Sequence, residues 1–269
     1  MALPLVRCLT IHKNPYQAGR ESSAVSDRFF ANLNNPAVGQ TVVLDAAESH
    51  HLVRVMRSRP GDQAFVFGQG REFSAVLREA SPSGAVLELV TELLPPPPPS
   101  VCFTAAIPFL KGGNTDFLVE KLCELGAARI IVFRSRREVA HGSSARVTKL
   151  NRVALEACKQ CGRADVPVVL GADSVTDAVG EGAASVGRSL ILFEGDVTLT
   201  LSGAIRIAGN EISSLPWTLI TGPEGGFDEE ELNSLRGAAT LVTLGPRILR
   251  AETAPLVAAS ALLTLAGDF

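Results

Sequence analysis

The chain has 269 residues, 46% hydrophobic and 20% charged, with a formal net charge of −3. That composition excludes a disordered chain and leaves room for one large domain or two modest ones. No apolar run has membrane-spanning length and flanks, and the Ala-Leu-rich stretch from Pro255 to Gly267 is too short to span.

Residues 1–25 hold no acid before Glu21 and read as an extension, either an organelle transit segment or an unstructured leader. The stretches "TVVLD", "QAFVFG", "REFSAVLREA" and "AVLELVTEL" then read as strands, with turns at Gly61-Asp62, Gly68 and Ser83-Gly84. Only "ESHHLVRVMRSR" reads as a helix, with Leu52, Val55 and Met56 on one face. Residues 26–94 are therefore expected to form a small β-barrel-like module. "LLPPPPPS" follows, and prolines that cannot donate to a helix or sheet make residues 95–100 a stiff linker. A ligand for a proline-recognising domain is the alternative reading.

From residue 101 onward, strands and helices alternate. "VCFTAAIPF", "RIIVFRS", "SLILFEG", "WTLITG" and "TLVTLG" read as strands. "NTDFLVEKLCELG", "RVTKLNRVALEACKQCG", "DEEELNSLRG" and "APLVAASALLTLAG" read as helices. That order predicts an α/β domain with a mainly parallel sheet and helices on both faces. Charge is uneven: Lys111–Arg163 holds eleven Lys and Arg against five Asp and Glu, and Ala164–Phe269 holds five against fourteen. The basic segment suits contact with phosphates, and ordinary solvated helix faces are the bland alternative.

Three strand ends carry the chemistry. "GPEGGFDEEEL" has the glycines of a ligand loop, but no lysine follows them. Asp228 and Glu231 have capping-box spacing, and Glu229 and Glu230 add negative charge to the same helix start. An anion site there is already filled by the protein, so a neutral or cationic ligand fits better than a triphosphate. "LGPRILRAETA" leaves its strand the same way and presents Arg247, Arg250, Glu252 and Thr253, with a Thr253 cap and an Arg-Glu pair as the bland reading. "LFEGD" is the third loop. Ligands of α/β sheets sit at strand C-termini, so the three are expected to line one cleft.

"LITGPEGGFDEEEL" followed by "LVTLGPRILRAETA" resembles the RsmE family, the 16S rRNA uridine methyltransferases of the SPOUT superfamily. "DRFFANL", "HLVRVMRSRPGD", "KGGNTDFLVEKLCELGA" and "ALEACKQCGRADVP" extend the resemblance from about Asp27 to the end. It implies an N-terminal PUA-like barrel and a C-terminal SPOUT α/β domain (101–269) with a deep trefoil knot. It implies S-adenosylmethionine as cofactor, a homodimer packed through the knot helices, and the ring nitrogen at position three of a small-subunit rRNA uridine as target. The partner is the rRNA or the assembled small subunit. A cytoplasmic setting is expected, or plastid or mitochondrion if the extension is a transit segment. The cofactor loops become Leu192, Phe193, Glu194 and Gly195; Thr221, Gly222, Pro223, Glu224, Gly225 and Gly226; and Leu244, Gly245, Pro246, Ile248, Leu249, Thr253 and Ala254.

The target nitrogen lies on the Watson–Crick edge and carries a proton, so it needs an unpaired or extruded base and help in losing that proton. Arg250 is assigned to orient the uracil or stabilise its developing anion. Glu252 positions Arg250 or accepts the proton. Lys111, Arg137, Gln160 and Arg163 match family motif positions and are candidate RNA contacts, with surface ion pairing as the alternative. Arg28, His51, Arg54 and Arg57 contact RNA or brace the barrel. RNA binding is expected to be electrostatic and to draw on both domains. Arg136-Arg137 departs from the family's acid-arginine pair and puts the local ion pairing in question. No metal is expected: His50-His51 point apart on a helix, and Cys158-Lys159-Gln160-Cys161 is one pair that packs as apolar surface. Five scattered cysteines suit a reducing compartment. The rivals are a SPOUT enzyme with another RNA target and a non-catalytic RNA-binding assembly factor.

Overall fold

The computed structural model describes residues 28–137, 143–182 and 188–269, so the residue 1–25 extension lies outside the described residues. The chain divides into two compact units between Pro96 and Pro97.

In the first unit, β1 (Arg28–Phe30), β2 (Thr41–Val43), β3 (Gln63–Gly68), β4 (Arg71–Glu79) and β5 (Val86–Leu93) form one sheet, in the order β1-β3-β4-β5-β2. The alternation along β4 puts Phe73, Ala75 and Leu77 into one core with Phe29, Val66, Leu87 and Leu89. Helix α1 (Ala46–His50) adds a cover. Asp45 caps it by accepting from Glu48 N, and Leu52 just beyond joins the core. The single helix expected over "ESHHLVRVMRSR" is corrected here. Its second half, His51–Val55, is a π-helical turn that ends at Met56. One extra residue per turn has no composition signal.

A buried ion pair sits inside this unit. Arg28 Nε lies 2.9 Å from Glu72 Oε1, with both side chains fully buried and the guanidinium 4.3 Å over the Phe67 ring. Such a pair adds little net stability. Removing one partner alone costs about 3–5 kcal/mol, because a buried charge is left uncompensated.

The second unit holds β6 (Phe103–Pro108), α2 (Asn114–Glu124), β7 (Arg129–Phe133), α3 (Ser144–Cys161), β8 (Val168–Ala172), α4 (Val175–Gly182), β9 (Arg188–Leu192), α5 (Leu201–Ile207), β10 (Trp217–Thr221), α6 (Glu229–Ser234), β11 (Thr240–Val242) and α7 (Ala254–Ala266). All six strands run parallel, in the order β11-β9-β10-β6-β7-β8. Ala106, Ile131, Phe133, Ile191 and Ile220 bury one face against Val175, Ala178 and Val179 of α4 and Leu235 just past α6. The alternate residues Ala105, Ile107, Ile130 and Val132 are equally buried. They serve the other face, where α2, α3 and α7 pack with one another and on β8 and β10. Helix ends follow local chemistry: Ser143 accepts from Arg146 N to start α3, and Gly162 at φ 89° ends it.

Candidate active site

The geometry starts from strand register. Leu192 at the end of β9 pairs with Thr221 at the end of β10 and with Val242 at the end of β11. Three strand ends are therefore level, and the loops after them leave the sheet side by side. The residue after β11 is held firmly: Thr243 N donates to Leu199 O, and Thr243 O accepts from Leu201 N, both at 2.9 Å.

The first and third loops border one solvent-open cleft with a cavity of about 60 Å³, lined by Phe193, Glu194, Leu244, Gly245, Ile248 and Ala254 among others. The second loop meets them through Glu194. Gly226 has a φ of +68°, a left-handed conformation that favours glycine, and the end of the Glu194 side chain lies against it, Oε1 standing 2.5 Å from where a Cβ would be. At the root of the second loop, Thr221 is 1% exposed, and its hydroxyl has no hydrogen-bond partner among the described residues. A buried hydroxyl left alone is costly, which fits a group that awaits a ligand.

The second loop is clamped from two sides. The expected capping box is present: Glu231 N donates to Asp228 Oδ1 at 2.8 Å, and Asp228 N donates to Glu231 Oε2 at 3.0 Å. The other Glu231 oxygen accepts from Ser135 Oγ at 2.8 Å and Arg136 N at 3.0 Å, which ties α6 to the end of β7. Arg136 pairs with Glu230 and, at 3.7 Å, with Asp228. Glu230, and then Asp228, raise its pKa. The departure at Arg136-Arg137 thus supplies its own ion pair. Arg137 Nη1 donates to Gly225 O, and Lys111 N donates to Glu224 Oε1, each at 3.3 Å. Two candidates for RNA contact therefore border the glycine loop directly.

On the third loop, the Arg250 carbonyl accepts from Thr253 N and Ala254 N at 2.9 and 3.0 Å, while its side chain is 86% exposed. The main chain is fixed and the guanidinium is open to solvent. Its Nη1 stands 3.8 Å from Glu252 Oε1, a loose pair. The side chain of Thr253 makes no cap bond to α7, so the capping alternative does not hold for that hydroxyl.

A model for an RNA methyltransferase domain matches residues 97–263, and one for an RNA methyltransferase PUA domain matches residues 44–90. The chain belongs to the RNA methyltransferase family. Relatives agree over most of its length. A Mycobacterium tuberculosis protein, named ribosomal RNA small subunit methyltransferase E, is 34% identical over 236 residues, covering 84% of this chain and 87% of the relative. A Bacillus subtilis protein of the same name is 31% identical over 250 residues, covering 87% and 95%. A Neisseria gonorrhoeae structure of that name, described as bound to S-adenosyl methionine, superposes with a TM-score of 0.77. It is 31% identical and covers 90% of this chain and 99% of that one.

Membership of the RNA methyltransferase family does not make every matched cation an RNA contact. For Arg28 the geometry matches the bracing alternative: its guanidinium is buried on Glu72 and Phe67 within its own sheet. Arg163 is turned inward as well. It is 8% exposed, and its Nη1 donates to Cys123 O and Ala127 O, which holds the end of α2. His51 is half-buried against the Phe29 ring, whereas Arg54 and Arg57 are exposed. Gln160 is exposed in a separate groove between α2 and α3, beside Lys121, Arg152 and Glu156. Among the described residues no cluster of His, Cys, Asp or Glu could hold a metal. The Cys158 thiol is pushed up to about 12 by its hydrogen bond with Cys123 and by burial, so it packs rather than reacts. Sequence reasoning missed the grip of Ser135 on Glu231, since the partners are 96 residues apart.

Proposed function

We propose that this protein transfers the methyl group of S-adenosylmethionine to the ring nitrogen at position three of a uridine in 16S-type small-subunit rRNA. The observation that carries the reading is the level meeting of three loops around Glu194 and the unpartnered Thr221 hydroxyl, in a chain of this family. The residues fit the cofactor. The capping box and Glu229–Glu231 make the helix start hostile to phosphate, and Gly226 at φ +68° leaves backbone bare beside Glu194. When bound, S-adenosylmethionine supplies a methyl group on a positively charged sulfur. Thr221, Glu194 and the backbone of Gly222–Gly226 and Leu244–Leu249 would hold it.

Arg250 holds the uracil and stabilises the charge that grows on its ring. Glu252 keeps Arg250 in place or takes the proton from the ring nitrogen. Lys111, Arg137, Arg54 and Arg57 offer exposed cations to the RNA backbone. In domain terms, residues 26–94 are the PUA-like barrel, 95–100 the linker and 101–269 the methyltransferase domain. A trefoil knot in this domain belongs to the same reading, as the resemblance to the RsmE family implies. Helix α7 carries no charged side chain and leaves Val257 40% exposed, which supports a homodimer packed on that helix. The bacterial relatives support a cytoplasmic setting.

The test is mass spectrometry of nucleosides from small subunits and from naked rRNA after incubation with protein and labelled cofactor. Label in 3-methyluridine is expected. Label in another nucleoside moves the target, and cofactor binding without label makes the protein an assembly factor.

A further inference from the structure

Glu194 sits where all three loops meet. A Cβ on Gly195 would come within 2.3 Å of the Phe193 ring, and that contact packs the chain back on itself and leaves Glu194 at the turn. One carboxylate oxygen lies against Gly226 of the second loop, and the residue borders the cavity shared with the third. Glu194 is exposed, and among the described residues its carboxylate has no hydrogen bond or ion pair. The nearby Glu252, Glu230 and Glu231 all have cationic or N–H partners. Water solvates the exposed Glu194 charge until a ligand enters the cavity, and a cationic ligand seated there meets a carboxylate that no protein group neutralises.

Resting on the cofactor reading above, we propose that Glu194 is the counter-charge that distinguishes the cationic methyl donor from its neutral product. Transfer forms a carbon–nitrogen bond on the RNA, sends that nitrogen's proton to solvent, and leaves the S–CH3 bonding pair on sulfur. The positive charge on sulfur disappears with it. Glu194 then faces a thioether it no longer attracts, so completing the reaction loosens the spent cofactor. Product release sets the turnover of many enzymes, so such a device bears on rate. Arg247 borders the same cavity and opposes the effect.

Calorimetry on the full chain tests this with three probes: S-adenosylmethionine, sinefungin, whose amine replaces the sulfonium with another cation, and S-adenosylhomocysteine, neutral at that position. Glu194→Gln should weaken the two cationic ligands about fivefold or more and leave the neutral one nearly unchanged, the size expected for a partly screened ion pair. Arg247→Gln should shift the ratio the opposite way. Retained binding of S-adenosylhomocysteine by Glu194→Gln shows that the variant is folded. Equal loss for all three ligands would mean that the carboxylate holds a part they share, and would overturn the proposal. So would no change for any of them. Wild-type protein that binds none of the three would overturn the cofactor reading itself, and this inference with it.

Discussion

At the residue scale, the third loop combines a fixed backbone with a free side chain. Arg250 is anchored through its carbonyl and exposed through its guanidinium. Arg250→Ala should therefore bind S-adenosylmethionine nearly normally yet methylate about a hundredfold or more slowly, the cost of one well-placed electrostatic contact. Single-turnover kinetics beside calorimetry separates the two effects, and near-wild-type turnover would falsify the assignment. Glu252→Gln asks a different question. If Glu252 takes the proton, raising the pH should rescue the variant in part, because uridine then sheds its proton unaided. If it only steadies Arg250 across their 3.8 Å gap, both variants should share one pH profile. The sequence made these residue types legible because a charged cluster stood before an apolar helix. It could not separate Arg163 from Arg137: both match family motifs, but one is buried on carbonyls and the other lies on the glycine loop.

At the element scale, α6 is a clamp as well as a helix. Glu231→Ala removes half of the capping box together with the bonds from Ser135 and Arg136. The second unit should lose about 1–3 kcal/mol, read by urea unfolding, and cofactor affinity should fall as the glycine loop loses its support. Undiminished affinity in a folded variant would show that the loop stands without the clamp. Helix α3 yields a second expectation. Cys158 stays a neutral thiol far above neutral pH, whereas Cys102 is exposed. Alkylation of the native protein near pH 7.5 should mark Cys102 and spare Cys158 until denaturant is added, and equal labelling would contradict the burial. The long periodic elements were readable from composition. Strand β1 has three residues, β8 five including Gly171, and α5 contains Gly203, so none carries a pattern long enough to recognise. The order β11-β9-β10 is equally invisible, since parallel neighbours are chosen by distant packing rather than by adjacent sequence.

At the scale of the whole molecule, the basic segment is less free than its net charge suggests. Lys121 is held by Glu120 and Glu124, Lys149 by Asp116, Lys159 by Glu156 and Arg163 by Asp165. RNA affinity should still fall with salt, but with a slope set by the few exposed cations, each phosphate contact contributing roughly 0.7–0.9. Titration of a fluorescent rRNA fragment at several salt concentrations measures it. Loss of Lys111 should lower the slope by about one contact, and binding indifferent to salt would rule out the electrostatic account.

Strand β9 lies between β10 and β11 although it precedes both in the chain, and only the third loop and the last helix follow β11. Nothing that emerges earlier can substitute for that final edge strand. A chain halted on the ribosome before residue 240 holds two of the three loops and lacks the cavity wall that the third supplies. The ability to bind cofactor is thus a property of finished molecules only. In refolding from urea, far-UV dichroism should recover before cofactor binding does, because closing so distant a pairing is slow. Simultaneous recovery would mean that the edge strand docks as early as the rest of the sheet.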